Sequence, residues 1–210
     1  MSTEAVKPPG TTTAAPAPVS RGSVLNQGVL GMVIFIGSEI MLFASFFTAY
    51  FLIRFGVFGN NWPPIAEDGK PFELPKVITG INTFILVMSS FTVWWAERAM
   101  LKGDRKGLVR GLTVTIMMGA TFIAIQFNEY IHLGFTPDSQ AFGSVFYSLT
   151  GLHGAHVLVG LTILSFCLIR ARKGDFSKEG GYTPLAAGSI YWHFVDVVWI
   201  ILYLLVYIAS

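Results

Sequence analysis

Five long runs of this sequence consist almost entirely of apolar residues. They cover roughly residues 24–53, 77–97, 107–132, 141–169 and 185–208. A helix rises about 1.5 Å per residue, so a run of about 20 residues crosses the hydrocarbon core of a bilayer, which is roughly 30 Å thick. Only 12% of the residues are charged and the mean hydropathy is +0.61, whereas roughly a quarter of the residues in soluble domains are charged. The sequence therefore predicts an all-α integral membrane bundle of five transmembrane helices.

The remainder of the chain is short and offers little else that could fold. Residues 1–21 are rich in Thr, Ala and Pro, which predicts a disordered tail and leaves residues 22–210 as one five-helix domain. The formal net charge of +2 is too small to favour nucleic acid as a partner. The single cysteine, Cys167, allows neither an internal disulfide nor a CxxC metal or redox motif.

The distribution of Lys and Arg predicts how the helices are oriented in the membrane. Cytoplasmic loops of membrane proteins carry an excess of these residues. A cytoplasmic N-terminus places 11 of the 14 Lys and Arg residues on the inner side and only Arg54, Lys70 and Lys76 outside. Because the number of spans is odd, the sequence predicts a cytoplasmic N-terminus and an external C-terminus.

One acidic residue, Glu39, falls midway along the first apolar run, in "FIGSEIMLF". A carboxylate at that depth costs about 2.5 to 3.5 kcal/mol on insertion scales, so it requires a partner, water or protonation. No basic residue lies within one turn of it. Glu39 is therefore either a protonated side chain that bonds to another helix, or a group that handles protons or contacts a lipid headgroup.

Two pairs of polar residues with i, i+3 spacing occur inside the later runs. His153 and His156, in "GLHGAHV", could bind zinc, copper or haem iron. The small residues around them instead favour hydrogen bonds between closely packed helices. His193 and Asp196, in "YWHFVDVVW", have no nucleophile or metal ligand beside them in the sequence. That pattern favours a polar clasp within the bundle, in which Asp196 fixes the orientation of the imidazole.

Several segments in order resemble subunit III of the haem-copper terminal oxidases, the cytochrome c oxidase subunit 3 family. They are "GMVIFIGSEIMLFASFFTAYF", "KGDRKGLVRGL", "FGSVFYSLTGLHGAHVLVG" and "YWHFVDVVWIILY". The resemblance covers about residues 24–208 and is to the short, five-helix bacterial form, which implies a multi-pass protein of the bacterial plasma membrane. It implies an accessory subunit without a redox centre, which packs against subunit I beside subunit II. Such a subunit encloses phospholipids and sustains proton uptake and turnover while the complex transfers electrons to O2.

The resemblance also implies roles for individual residues. Glu39 matches the membrane-buried glutamate of the family and is expected to be a lipid-linked or proton-linked group. The other matching polar residues are expected to be structural clasps, and they are Glu129, His153, His156, His193 and Asp196. No catalytic or metal-binding residue is expected in this chain. Its four histidines and single cysteine are too few for the haems and copper, which are expected in the partner subunits.

Other functions remain open at the level of sequence. The complex could take its electrons from cytochrome c, as an aa3-type oxidase, or from a quinol, and it could belong to a respiratory supercomplex. The related five-helix protein of nitric oxide reductases is a close alternative. A stand-alone transporter is a different class, in which Glu39 and the histidines would line a path, but no internal repeat or pair of broken helices supports it.

Overall fold

The computed structural model describes residues 27–59, 62, 64–65, 74–174 and 182–209, and these residues form five long helices. The helices are α1 (Gln27–Phe51), α2 (Lys76–Leu101), α3 (Arg105–His132), α4 (Gln140–Lys173) and α5 (Tyr182–Leu202). Two π-helical segments, Leu52–Phe58 and Tyr203–Ile208, extend α1 and α5. All five helices are long and apolar enough to cross a membrane. The predicted all-α class and the five spans are confirmed, whereas the orientation in the membrane stays a prediction.

The observed helices extend a few residues beyond most of the apolar runs. α2 continues to Leu101 and α3 already begins at Arg105, because a helix does not have to end where the hydrocarbon ends. The side chain of Asp104 caps α3 by accepting a hydrogen bond from the Gly107 N–H at 3.0 Å. The predicted disordered tail, residues 1–21, lies outside the described residues.

Helix α5 occupies the centre of the bundle, where it packs against α1, α2 and α4. Its two tryptophans, Trp192 and Trp199, are completely buried. Helices α2 and α3 form a tight hairpin, and α3 also packs against α4. Helix α1 lies at the periphery and buries only Phe43 and Tyr50. The side of α1 that faces away from the bundle is therefore apolar and exposed, as expected for a surface that contacts lipid or another subunit.

Small residues bring α2 and α3 into close contact. A Cβ atom added at Gly107 would lie 2.9 Å from the Cβ of Ala99, and one added at Gly111 would lie 2.8 Å from the Cβ of Ala96. Gly107 and Gly111 are spaced i, i+4, the spacing that small residues use where transmembrane helices approach closely. The hairpin therefore depends on the absence of a side chain at these positions.

We expect Gly111→Ala to destabilise the protein by about 1 to 3 kcal/mol, the usual cost of overpacking a close-packed core. The added methyl group would also lie 3.0 Å from the Cα of Ala96, so the backbone must shift. Cys167 is the only cysteine and is completely buried. The temperature at which it becomes alkylated, measured by peptide mass spectrometry, therefore reports unfolding of this chain.

The matched control for this variant is Gly31→Ala on α1. No atom lies within 4 Å of a Cβ added at Gly31, and alanine favours helix over glycine by about 1 kcal/mol. Gly31→Ala should therefore leave the alkylation temperature unchanged or raise it. An equal decrease in both variants would show that close packing at Gly111 is not the cause.

Candidate functional site

Glu39 on α1 and His156 on α4 form a hydrogen-bonded pair. The Glu39 Oε2 atom lies 2.7 Å from the His156 Nε2 atom. The side chains are 14% and 12% exposed, respectively, so the pair lies at the edge of the bundle and not in its core. The ring of Phe43 packs against the imidazole with 4.9 Å between ring centroids. Glu39 therefore has a partner on another helix, and this partner is one of the two histidines that the sequence singled out.

A backbone carbonyl determines which nitrogen of His156 carries a hydrogen. Its Nδ1 atom lies 2.7 Å from the carbonyl oxygen of Leu152. A carbonyl oxygen only accepts, so Nδ1 must donate, and the Nε2 atom of the neutral ring is then an acceptor. A hydrogen must also lie between Nε2 and Glu39. It belongs either to a neutral carboxyl group or to an imidazolium, so the two side chains share one proton.

His153 lies one turn before His156 but has different surroundings. It is completely buried, with its ring centroid 4.7 Å from that of Trp199 and 5.9 Å from that of Phe122. Neither ring nitrogen has a hydrogen-bond partner among the described residues. The two histidines therefore have different surroundings. In the described part of the chain, no group of three His, Cys, Asp or Glu side chains is arranged to hold a metal ion.

His193 and Asp196 on α5 both contact Ser90 on α2. The Ser90 hydroxyl donates to the Asp196 Oδ2 atom, and its oxygen lies 2.9 Å from the His193 Nδ1 atom. Because the single hydroxyl hydrogen goes to Asp196, the Ser90 oxygen accepts the hydrogen of His193 Nδ1. Ser90 therefore connects the two residues and joins α2 to α5.

The arrangement at Ser90 differs from that of a serine hydrolase. In a serine hydrolase the imidazole accepts the serine proton, and the carboxylate orients the imidazole from its other side. Here the imidazole donates to the serine and the carboxylate takes the serine hydrogen directly. The same three residue types therefore form a link between two helices.

Glu129 on α3 lies in a separate cluster at one end of the bundle. Its carboxyl oxygens lie 2.9 Å from the Thr79 hydroxyl oxygen and 2.7 Å from that of Tyr207. Glu129 is buried, and it also lines a pocket of about 370 Å³ with Asn128 and His132. Glu129 thus joins α2, α3 and the π-helical end of α5. Its predicted role as a structural clasp stays a prediction, as do the roles of the other four residues in that group.

The hydroxyl partners Thr79, Ser90 and Tyr207 are not among the residues predicted from the sequence. A signal for two of them exists on α2, where polar residues recur along one stripe of an otherwise apolar helix. The stripe contains Thr79, Asn82, Thr83, Ser89 and Ser90. Polar residues at this spacing inside a transmembrane helix mark the face that meets other helices. No comparable pattern distinguishes Tyr207 from the other aromatic residues of the final helix.

Comparison with known proteins gives one consistent result. The family described as cytochrome c oxidase subunit III matches residues 19–210. "Cytochrome c oxidase subunit 3" of Pelomedusa subrufa is 39% identical over 88% of this chain and 70% of its own length. "Cytochrome c oxidase subunit 3" of Anopheles gambiae is 41% identical over 84% of this chain and 67% of its own. "Probable cytochrome c oxidase subunit 3" of Rickettsia conorii is 39% identical over 89% of this chain and 69% of its own length.

Proposed function

Because the chain belongs to the cytochrome c oxidase subunit III family, we propose that it is a non-catalytic accessory subunit of an aa3-type cytochrome c oxidase. In this role it packs against subunit I beside subunit II, holds phospholipid and supports proton uptake. The haems and copper reside in the partner subunits, since four histidines and one cysteine are too few to ligate them. The complex lies in a bacterial plasma membrane, with the N-terminus of this chain in the cytoplasm.

The hydrogen-bonded pair of Glu39 and His156 is the observation that carries the proton-linked part of the proposal. A purely structural link needs a donor and an acceptor, but it does not need a group that ionises. This pair shares a proton between two titratable side chains, and both side chains are partly exposed at the edge of the bundle. Losing this proton or gaining a second one changes the net charge of the pair by one unit, so the pair can take part in proton exchange.

Two substitutions at Glu39 separate proton handling from structure. Glutamine keeps the shape and can donate a hydrogen bond to His156 Nε2, but it cannot release a proton. Leucine removes both properties. We expect both variants to assemble and to undergo fewer turnovers before they lose activity. A positioned acid or base contributes roughly 100-fold or more at the reacting atoms; Glu39 acts away from them, and we expect roughly a two- to tenfold decrease.

The pH dependence of turnover provides a second readout that a structural role would not change. Protons become scarcer as the pH rises. The number of turnovers that Glu39→Gln completes should therefore fall further below the wild-type number as the pH increases. If Glu39→Gln completes as many turnovers as wild type at every pH and only Glu39→Leu completes fewer, then the hydrogen bond matters and the proton does not. Bound phospholipid is quantified in the same preparations, because loss of lipid in both variants would support the lipid-linked role of Glu39.

A further inference from the structure

A basic pocket lies between the start of α3 and the end of α4. Its volume is about 400 Å³, and it is lined by Arg105, Lys106, Val109, Arg110 and Arg172. Four of these five lining residues are cationic and none is acidic. The pocket lies on different helices from Glu39 and the Ser90 link, apart from α4, which it shares with His156. None of the polar residues described above lines it.

One of the four cations holds the two helices together. Arg105 donates from Nε to the carbonyl oxygen of Ala171 at 3.0 Å, and from a terminal nitrogen to that of Arg172. These carbonyls belong to the last turn of α4, where no further helical N–H is available to them. Arg105 therefore helps to fix the shape of the pocket, and its charge lines the pocket together with the other three.

The other three cations line the pocket from both helices. Lys106 and Arg110 are spaced i, i+4 and so lie side by side on α3, and Arg172 lines the same pocket from α4. All three side chains are exposed, and none forms an ion pair within the described part of the chain. Like charges one turn apart repel each other. An anion between the two helices would offset that repulsion.

The same two helix faces become apolar with increasing distance from the pocket. Val114 and Met117 continue the stripe of Lys106 and Arg110 along α3, and they are 41% and 64% exposed. Ile169 lies one turn before Arg172 on α4 and is 53% exposed. Cationic residues at the end of a transmembrane helix, followed by exposed apolar residues along the same face, match a molecule with an anionic head and hydrocarbon chains.

We propose that the basic pocket binds the phosphate-bearing headgroup of an anionic phospholipid, with its acyl chains along the exposed faces of α3 and α4. Basic pockets between transmembrane helices are suited to such headgroups, and each Lys or Arg near the surface adds to the attraction. The apolar continuation of the pocket favours a lipid over free phosphate or an acidic protein segment. This site deepens the lipid-holding part of the proposed function and rests on it, but it depends on neither Glu39 nor catalytic activity.

The test compares two double variants of the intact complex in mild detergent. Lys106→Gln with Arg110→Gln removes two charges from the basic pocket. The matched control, Arg98→Gln with Lys102→Gln, removes one Arg and one Lys from the end of α2, where the Arg98 guanidinium stacks on Trp94. Phosphatidylglycerol is titrated into each complex, and bound lipid is counted by native mass spectrometry. Phosphatidylcholine and inorganic phosphate are the comparison probes.

We expect wild type and the control to bind phosphatidylglycerol in preference to phosphatidylcholine, and inorganic phosphate not to displace it. The pocket variant should bind phosphatidylglycerol roughly tenfold or more weakly, given the contribution of two surface cations. The single variant Arg172→Gln, which leaves α3 intact, should show a selective decrease that is smaller, roughly fivefold, because only one charge is removed. Equal binding in the pocket and control variants, displacement by inorganic phosphate, or loss of a partner subunit with unchanged lipid would each overturn the proposal.

Discussion

Replacing Trp192 with alanine should reduce the free energy of unfolding by about 3 to 5 kcal/mol, the usual cost of removing a large aromatic side chain from a packed core. The indole is completely buried at the centre of the bundle. A Cβ atom added at Gly119 on α3, or at Gly160 on α4, would lie only 2.7 Å from the ring. Neither helix can therefore fill the space with its own side chains at these positions.

Trp192→Phe is the matched comparison for the alanine variant. Phenylalanine keeps a ring between the two glycines but removes the indole N–H, which donates to the Ser89 hydroxyl oxygen at 2.9 Å. We expect the phenylalanine variant to lose less stability than the alanine variant. The alkylation temperature of Cys167 ranks all three proteins. If Trp192→Ala and wild type have the same temperature, the central packing role of the indole is refuted.

Replacing Ser90 with alanine should also reduce the free energy of unfolding. The variant leaves both the Asp196 Oδ2 atom and the His193 Nδ1 atom without the hydroxyl that each contacts. Asp196 is almost completely buried, with 4% exposure. A buried polar group left without its partner costs about 1 to 3 kcal/mol, and the Asp196 carboxyl group carries most of that penalty because His193 is partly exposed.

The control for Ser90→Ala is Ser45→Ala on α1. The exposed Ser45 hydroxyl donates only to the carbonyl oxygen of Leu42 in its own helix, at 2.6 Å, so its loss strands no group of another helix. We expect Ser45→Ala to retain the wild-type alkylation temperature of Cys167. A Ser90→Ala protein as stable as Ser45→Ala would mean that His193 and Asp196 do not link α2 to α5 through Ser90.

The number and class of the helices could be predicted from the sequence because the length of an apolar run is a direct physical signal. A bilayer has a nearly constant hydrocarbon thickness, so a run of sufficient length is interpretable without knowledge of its neighbours. The helix ends carry less information, since Lys and Arg continue a helix into the interface. Helix α5 begins at Tyr182, three residues before the predicted start of its apolar run.

The partners of the buried polar residues could not be predicted in the same way. Glu39 and His156 are 117 positions apart, so their contact depends on which helices become neighbours. The i, i+3 spacing predicts that two side chains project from the same side of a helix, but neighbouring positions on that side can meet different surroundings. His156 meets a carboxyl group at the edge of the bundle, while His153 meets aromatic rings in its core.

His193 and Asp196 show the same limit of local spacing. The sequence predicts that Asp196 orients the imidazole directly. In the structure, both side chains contact the Ser90 hydroxyl on another helix. A serine in a transmembrane helix gives a weak signal, because its hydroxyl can also bond to its own backbone, as Ser38 and Ser45 do on α1. The polar stripe of α2 marks the face that carries Ser90, but only the packing of α2 against α5 shows which groups its hydroxyl meets.

Purification of the tagged chain in mild detergent, with an optical spectrum and mass spectrometry of the co-purified proteins, tests the proposed function most directly. We predict that the chain co-purifies with two larger oxidase subunits, that the complex shows a-type haem absorbance and oxidises cytochrome c, and that the chain separated from it carries no haem. Recovery of the chain without any haem protein, or with one whose spectrum lacks a-type haem, would contradict its assignment to an aa3-type cytochrome c oxidase.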